Sequence, residues 1–243
     1  MASQQREALS PGEFIELLEQ TRAEFLEGKS PYRGDGISGK SKEEIAASKR
    51  RFHTGGDPNH RFEGERYLHV TDKAIRRKQL RKLVDEGGQT TVGGPMPSHP
   101  VLARWHSQEM GLSDAEIDAL EKEDQPAETL VKEGWWFDLQ RSNPWPVALS
   151  SALVGEGSKR LPGAVEHYEK LVADAREYYA SLGIENVDRA VQLLIEHAPF
   201  GADMEHAMFG EEVVRETATT AEIQDEMRRA FILTMQRNAR DRV

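Results

Sequence analysis

The chain has 243 residues, no cysteine and a formal net charge of −10. Without cysteine there are no disulfides, thiolate metal sites, iron–sulfur clusters or cysteine nucleophiles, so any metal must be held by His, Asp or Glu, a donor set suited to Fe, Mn or Zn. The acidity argues against a broad nucleic-acid-binding face. No apolar run approaches the roughly 18–20 residues needed to span a bilayer, and the opening Met-Ala-Ser-Gln-Gln-Arg-Glu carries no apolar signal region. The expectation is a cytoplasmic protein that engages neither nucleic acid nor membrane.

Alternating runs of Val, Ile and Thr are almost absent, and 3.6-residue periodicity dominates. Ser10-Pro11-Gly12-Glu13 reads as a capped start, with Pro at the first helical position, for a helix carrying Phe14, Leu17, Leu18 and Phe25. Residues 29–39 form a Gly/Pro/Ser loop, Ser41 opens a second helix toward Phe52, and a third runs from His60 to His69. Thr71-Asp72 caps a fourth, which carries Ile75, Leu80 and Leu83 and ends near Glu86. The glycine-rich stretch 87–97 reads as a flexible loop and, with its two prolines beside His99, as a mobile lid. Ser98 caps a helix through Val101, Leu102, Trp105 and Met110, and Ser113 with Glu116 forms a capping box for a short one. Further helices are predicted over 127–139, 144–156, 162–182, 187–209 and 219–241, with Gly183 as a C-cap. With no internal repeat and no linker of useful length, 1–243 reads as a single all-α domain of about ten helices.

The polar residues that carry chemistry follow from spacing. His206 comes three residues after Asp203, which places carboxylate and imidazole on one helical face, as helical-bundle metal sites require; a solvated polar face gives the same pattern. On a straight helix His197 would point about 120° away from Asp203, whereas Glu196 would lie within about 20° of it. Pro199 and Gly201 fall between, and a break there would bring His197 back in line. Glu86 ends one helix and His99 opens the next, so both can face one bundle interior; His106, a heptad later, is a rival to His99. Glu156 closes an apolar helix, with Glu166 as its competitor. Trp135, Trp136 and Trp145 are either pocket lining or core. Arg104, Lys159 and Arg160 are either substrate-carboxylate ligands or solvated surface charges.

The stretch Leu80-Arg81-Lys82-Leu83-Val84-Asp85-Glu86-Gly87-Gly88, then Ser98-His99-Pro100-Val101-Leu102, then Met110-Gly111-Leu112-Ser113, resembles the heme-oxygenase-like iron-containing oxidases, in which an Asp-Glu-x-Gly segment precedes a His and then a Gly-Leu. The N-terminal third, from Leu9-Ser10-Pro11 through Arg76, and the overall length are similar to pyrroloquinoline-quinone synthase C. The order Glu156, Gly183-Ile184, His197, Asp203-x-x-His206 is similar to the ligand order of the diiron members.

The resemblance implies a heme-oxygenase-like helical bundle with six ligands, Glu86, His99, Glu156, His197, Asp203 and His206, holding two Fe(II) ions that react with O2 to oxidise a small-molecule substrate by N-oxygenation, C–C cleavage or desaturation. It also implies a homodimer. One departure stands out: the family spaces its last motif His-x3-Asp-x2-His, whereas here it is His-x5-Asp-x2-His, with Pro199 at the expected first-His position. Two other readings stand beside the diiron one. One is a metal-free oxidase resembling pyrroloquinoline-quinone synthase C, which needs no carboxylates in its cavity. The other is a non-catalytic helical binding protein.

Overall fold

Short polar side chains start the first helices at the positions the caps specify. The computed structural model describes residues 7–32, 38–56, 59–88, 97–201 and 203–240, excluding the side chains of 59, 155, 239 and 240. The glycine-rich segment expected to act as a lid lies, over 89–96, outside the described residues. In chain order the α-helices are α1 (Pro11–Leu26), α2 (Lys42–His53), α3 (Asn59–His69), α4 (Lys73–Gly87), α5 (His99–Glu109), α6 (Asp114–Leu120), α7 (Ala127–Ser142), α8 (Trp145–Ser150) and α9 (Ala152–Glu156). A 3-10 turn (Gly157–Arg160) follows, and then α10 (Ala164–Ser181), α11 (Val187–Glu196), α12 (Asp203–Thr217) and α13 (Ala221–Arg240). No strand occurs among the described residues, and no helix there is long and apolar enough to cross a membrane.

Full capping boxes form at Ser10/Glu13 and Ser41/Glu44, each hydroxyl and carboxylate satisfying amide donors that a helix start leaves unpaired. Asp72 accepts from the amides of Ala74 and Ile75 at the head of α4. At the end of α10 Gly183 adopts φ 73°, and Ile184 N–H reaches Tyr179 O while Gly183 N–H reaches Ala180 O, a Schellman closure. Two expected caps differ. Ser98 sits at the N-cap of α5, but its hydroxyl donates to Gly88 O and so ties together the two ends of the 89–96 segment. At α6 Ser113 accepts from Glu116 N–H, but the Glu116 carboxylate is drawn away to Arg50 at 2.6 Å, leaving half a box.

Two of the long predicted helices are broken, which raises the number of segments above ten. The 144–156 run divides at Ser150-Ser151, whose hydroxyls donate to Val147 O and Ala148 O and compete with the helical amides. The 187–209 run ends at Glu196 and resumes at Asp203. Pro199 has no amide to donate, and the chain turns through Ala198 N–H to Ile195 O and Gly201 N–H to Ala198 O.

Among the described residues, apolar side chains gather in three clusters. Phe14, Leu18, Leu153, Val214, Met227 and Phe231 join α1, α9, α12 and α13. Ile45, Met110, Ile117, Tyr179 and Val191 join α2, α5, α6, α10 and α11. Val70, Ile75, Leu149, Phe209 and Val213 tie α4 and α12 to α8. A seam of buried charged and polar side chains from α3, α4, α5, the 3-10 turn and α12 lies in the remaining interior.

Gly201 is the tightest backbone approach near that seam, because a Cβ there would lie 2.3 Å from Glu196 O. Gly201→Ala is therefore expected to cost roughly 1–3 kcal/mol by overpacking against backbone that cannot yield. Urea unfolding measures this, and an unchanged midpoint would contradict the assignment.

Candidate metal centre

The last turn of α4 delivers Asp85 and Glu86 side by side into the interior. This requires glycine next in the chain: a Cβ on Gly87 would stand 2.6 Å from His60 Cβ on α3. His99 enters from the first turn of α5, His197 from the residue capping α11, and Asp203 and His206 from the first turn of α12. The α11–α12 break is what admits His197: its ring stacks on His99 with centroids 4.7 Å apart and planes at 14°.

Each histidine has one nitrogen tied to an oxygen. His99 Nδ1 donates to Glu86 at 3.2 Å, His206 Nε2 donates to Asp85 at 3.3 Å, and His197 Nδ1 donates to Leu193 O at 2.6 Å. These bonds fix ring orientation and tautomer and leave the opposite nitrogen as the ligand atom, as outer-shell partners do around metals. The opposite nitrogens of His99 and His206 converge on one oxygen: His99 Nε2 lies 3.4 Å and His206 Nδ1 3.3 Å from Asp203 Oδ1. All three atoms are buried and lack a hydrogen-bond partner. Buried polar atoms are almost always paired, so three orphans aimed at one point are what a cation site produces. Two trios place ligand atoms within 4.8 Å of one another, His99–His197–Asp203 and Glu86–Asp203–His206, and Asp203 belongs to both. Three imidazoles and two carboxylates, with no sulfur donor, fit Fe(II) or Mn(II).

A second layer of charge surrounds the ligands. Lys159 Nζ lies 2.6 Å from Glu156 Oε2 and also donates to Asp203 Oδ2. Glu63 accepts from Arg66 and Gln79 at 2.6 Å each and faces Lys82 at 3.5 Å. Arg66 continues to Gln140 and Ser151.

Burial opposes charge on every one of these groups, and the neighbours decide the balance. For His99 the hydrogen bond and charge of Glu86, with the charge of Asp203, outweigh burial and raise the imidazole to about 9. For His206 the adjacent carboxylates of Asp203 and Asp85 outweigh burial and raise it to about 10. His197 goes the other way: burial lowers it against the pull of Asp203. Asp203 is held well below the carboxylate range, burial notwithstanding, by His197 and Lys159.

Of the six residues the sequence singled out, five come together: Glu86, His99, His197, Asp203 and His206. Glu156 does not join either trio, since its carboxylate is engaged by Lys159. The rivals fall elsewhere. His106 bonds Tyr179 at 2.7 Å inside an apolar cluster, Glu166 is exposed, and Glu196 is buried but outside both trios. Trp135 and Trp136 pack on the apolar core, and Trp145 donates to Thr71. Arg104 is taken up by Asp114, Asp118 and Glu121, and Arg160 by Glu19 and Glu211. Lys159 is not a surface charge at all, being 5% exposed.

Sequence reasoning missed Glu63, Arg66, Gln79 and Lys82. The available signal was that Gln79, Lys82 and Glu86 recur with Ile75 at helical spacing on the core-facing side of α4. Charged groups at core positions are rare unless paired.

Without metal, His99 and His206 gain protons on folding. Because their folded values lie above the ordinary 6.5, their contribution is full below pH 6.5 and is lost as pH rises through about 9 and about 10. The metal-free protein should therefore lose stability between pH 6.5 and 10 in urea titrations; rising stability over that window would contradict the pairing. Metal binding at pH 7 should release about two protons per centre, measured by calorimetry in buffers of different ionisation enthalpy, and release of none would exclude these histidines as ligands.

No protein-family model matches this chain, and no curated protein matches it.

Proposed function

We propose that the chain is an O2-dependent non-heme iron oxidoreductase of the heme-oxygenase-like type, acting on a small-molecule substrate derived from an amino acid or belonging to a natural-product pathway. The observation that carries this reading is the convergence of His99 Nε2, His206 Nδ1 and Asp203 Oδ1, buried and unpartnered, within 3.4 Å contacts in the interior of an all-helical protein. The two trios sharing Asp203 support two metal positions, one on His99 and His197 and the other on Glu86 and His206. Iron held there would supply O2 binding and the redox equivalents for substrate oxidation.

The residues of the chain have four tasks. Asp85, Glu86 and the Leu193 carbonyl orient the imidazoles. Asp203, kept ionised, offers a permanent carboxylate to both positions. A cavity of about 490 Å³ between α4 and α12 ends on Asp85 and His206 and is walled by Met204, Met208 and Phe209. That volume suits a small molecule. Lys82, buried at the cavity wall, offers an ammonium for an anionic group on the substrate.

A metal-free oxidase is the second reading, and one observation favours it: Lys82, Lys159 and Arg66 already place permanent cations among the carboxylates. Anaerobic ferrous loading followed by exposure to O2 separates the two. The iron reading expects stoichiometric iron and O2 consumption that fall at least tenfold in Asp203→Asn and His206→Ala. O2 consumption by iron-free wild type, equal to that of the loaded protein, would decide for the metal-free reading.

A further inference from the structure

Asp203 divides its two oxygens between different neighbours. Oδ1 faces the histidines, and Oδ2 is held by the Lys159 ammonium, which also holds Glu156 at 2.6 Å. Lys159 thus sits between Glu156 and Asp203, the carboxylate that the two trios share. Lys159 and Lys82 are both buried, and Lys82 pairs with Glu63.

Charge sharpens the point. Four carboxylates (Asp85, Glu86, Glu156, Asp203) and Lys159 lie in the contact group around Asp203 and His206, and the Glu63–Arg66–Lys82 group acts on it through the charge of Lys82 on Glu156 and Glu86; taken together, five carboxylates face three permanent cations, a net charge of −2 with neutral histidines. One divalent ion cancels that charge. A second leaves two uncompensated positive charges in a buried site, which is strongly disfavoured. With the ammonium absent, the same second ion leaves only one.

We infer that Lys159 is a resident cation that sets metal stoichiometry: the centre holds one divalent ion tightly and a second only when the ammonium leaves the Glu156–Asp203 pair. This rests on the metal-centre reading above and adds a positioning residue that governs how many ions the centre takes. Lys159 serves as the counter-charge that keeps Glu156 and Asp203 ionised and apart until a second ion or an incoming anion displaces it.

The test is anaerobic titration with Mn(II), following free ion and the electron paramagnetic resonance spectrum, on wild type, Lys159→Met and Lys159→Arg. Wild type should bind one ion, with a second at least tenfold weaker and the uncoupled six-line spectrum of a lone Mn(II). Lys159→Met should bind a second ion at least tenfold more tightly than wild type and develop the broadened spectrum of a coupled pair, while Lys159→Arg should behave as wild type. Two equally tight ions in wild type would overturn the inference while leaving the metal centre standing, and this arm needs no variant to fold. An unchanged second affinity in a folded Lys159→Met would overturn it as well. No Mn(II) on any of the three proteins would end the metal-centre reading itself.

Discussion

Asp203 is the residue on which the interior depends. It is 1% exposed, and it contacts His99, His206 and Lys159 at once. An ionised carboxylate at that depth is stable only if cations surround it. The helices are arranged to supply them: α5 brings His99, the 3-10 turn after α9 brings Lys159, and α12 folds His206 back over its own first turn. The side chains of this charged seam belong to none of the three apolar clusters found among the described residues. Stability and candidate chemistry are thereby coupled, since the same side chains serve both.

The break between α11 and α12 is the second structural requirement. A continuous helix would turn His197 away from Asp203, and the chain avoids this with a proline that withholds an amide and a glycine that admits the Glu196 carbonyl at close range. This turn accommodates the His197-x5-Asp203 spacing. His197 caps α11 and stacks on His99, so the imidazole arrives from a helix end and not from a helix face.

Much of this was legible in the sequence, and for identifiable reasons. The helical class followed from periodicity, and the cap at Ser10-Pro11-Gly12-Glu13 and the opening serine at Ser41 marked two starts closely. The Asp203–His206 pair followed from i, i+3 geometry, and the break from Pro199 and Gly201. The charged seam was not legible, because Glu63, Arg66 and Lys82 look like ordinary exposed helix residues until tertiary packing shows which face turns inward. Lys159 was read as a substrate-binding or surface charge for the same reason: its burial depends on a 3-10 turn that the pattern of 144–156 does not announce. Ser98 and Glu116 show the converse, local cap signals overridden by longer-range partners at Gly88 and Arg50.

The central claim is that the side chains gathered around Asp203 hold metal, on His99 and His197 at one position and on Glu86 and His206 at the other. Anomalous diffraction at the iron edge, from crystals grown or soaked anaerobically with Fe(II), tests it most directly. The account expects a strong peak in the buried space bounded by Asp203 Oδ1 and the ligand nitrogens of those histidines. Fe(II)-treated crystals with no anomalous peak there, or with peaks only on surface carboxylates, would contradict it.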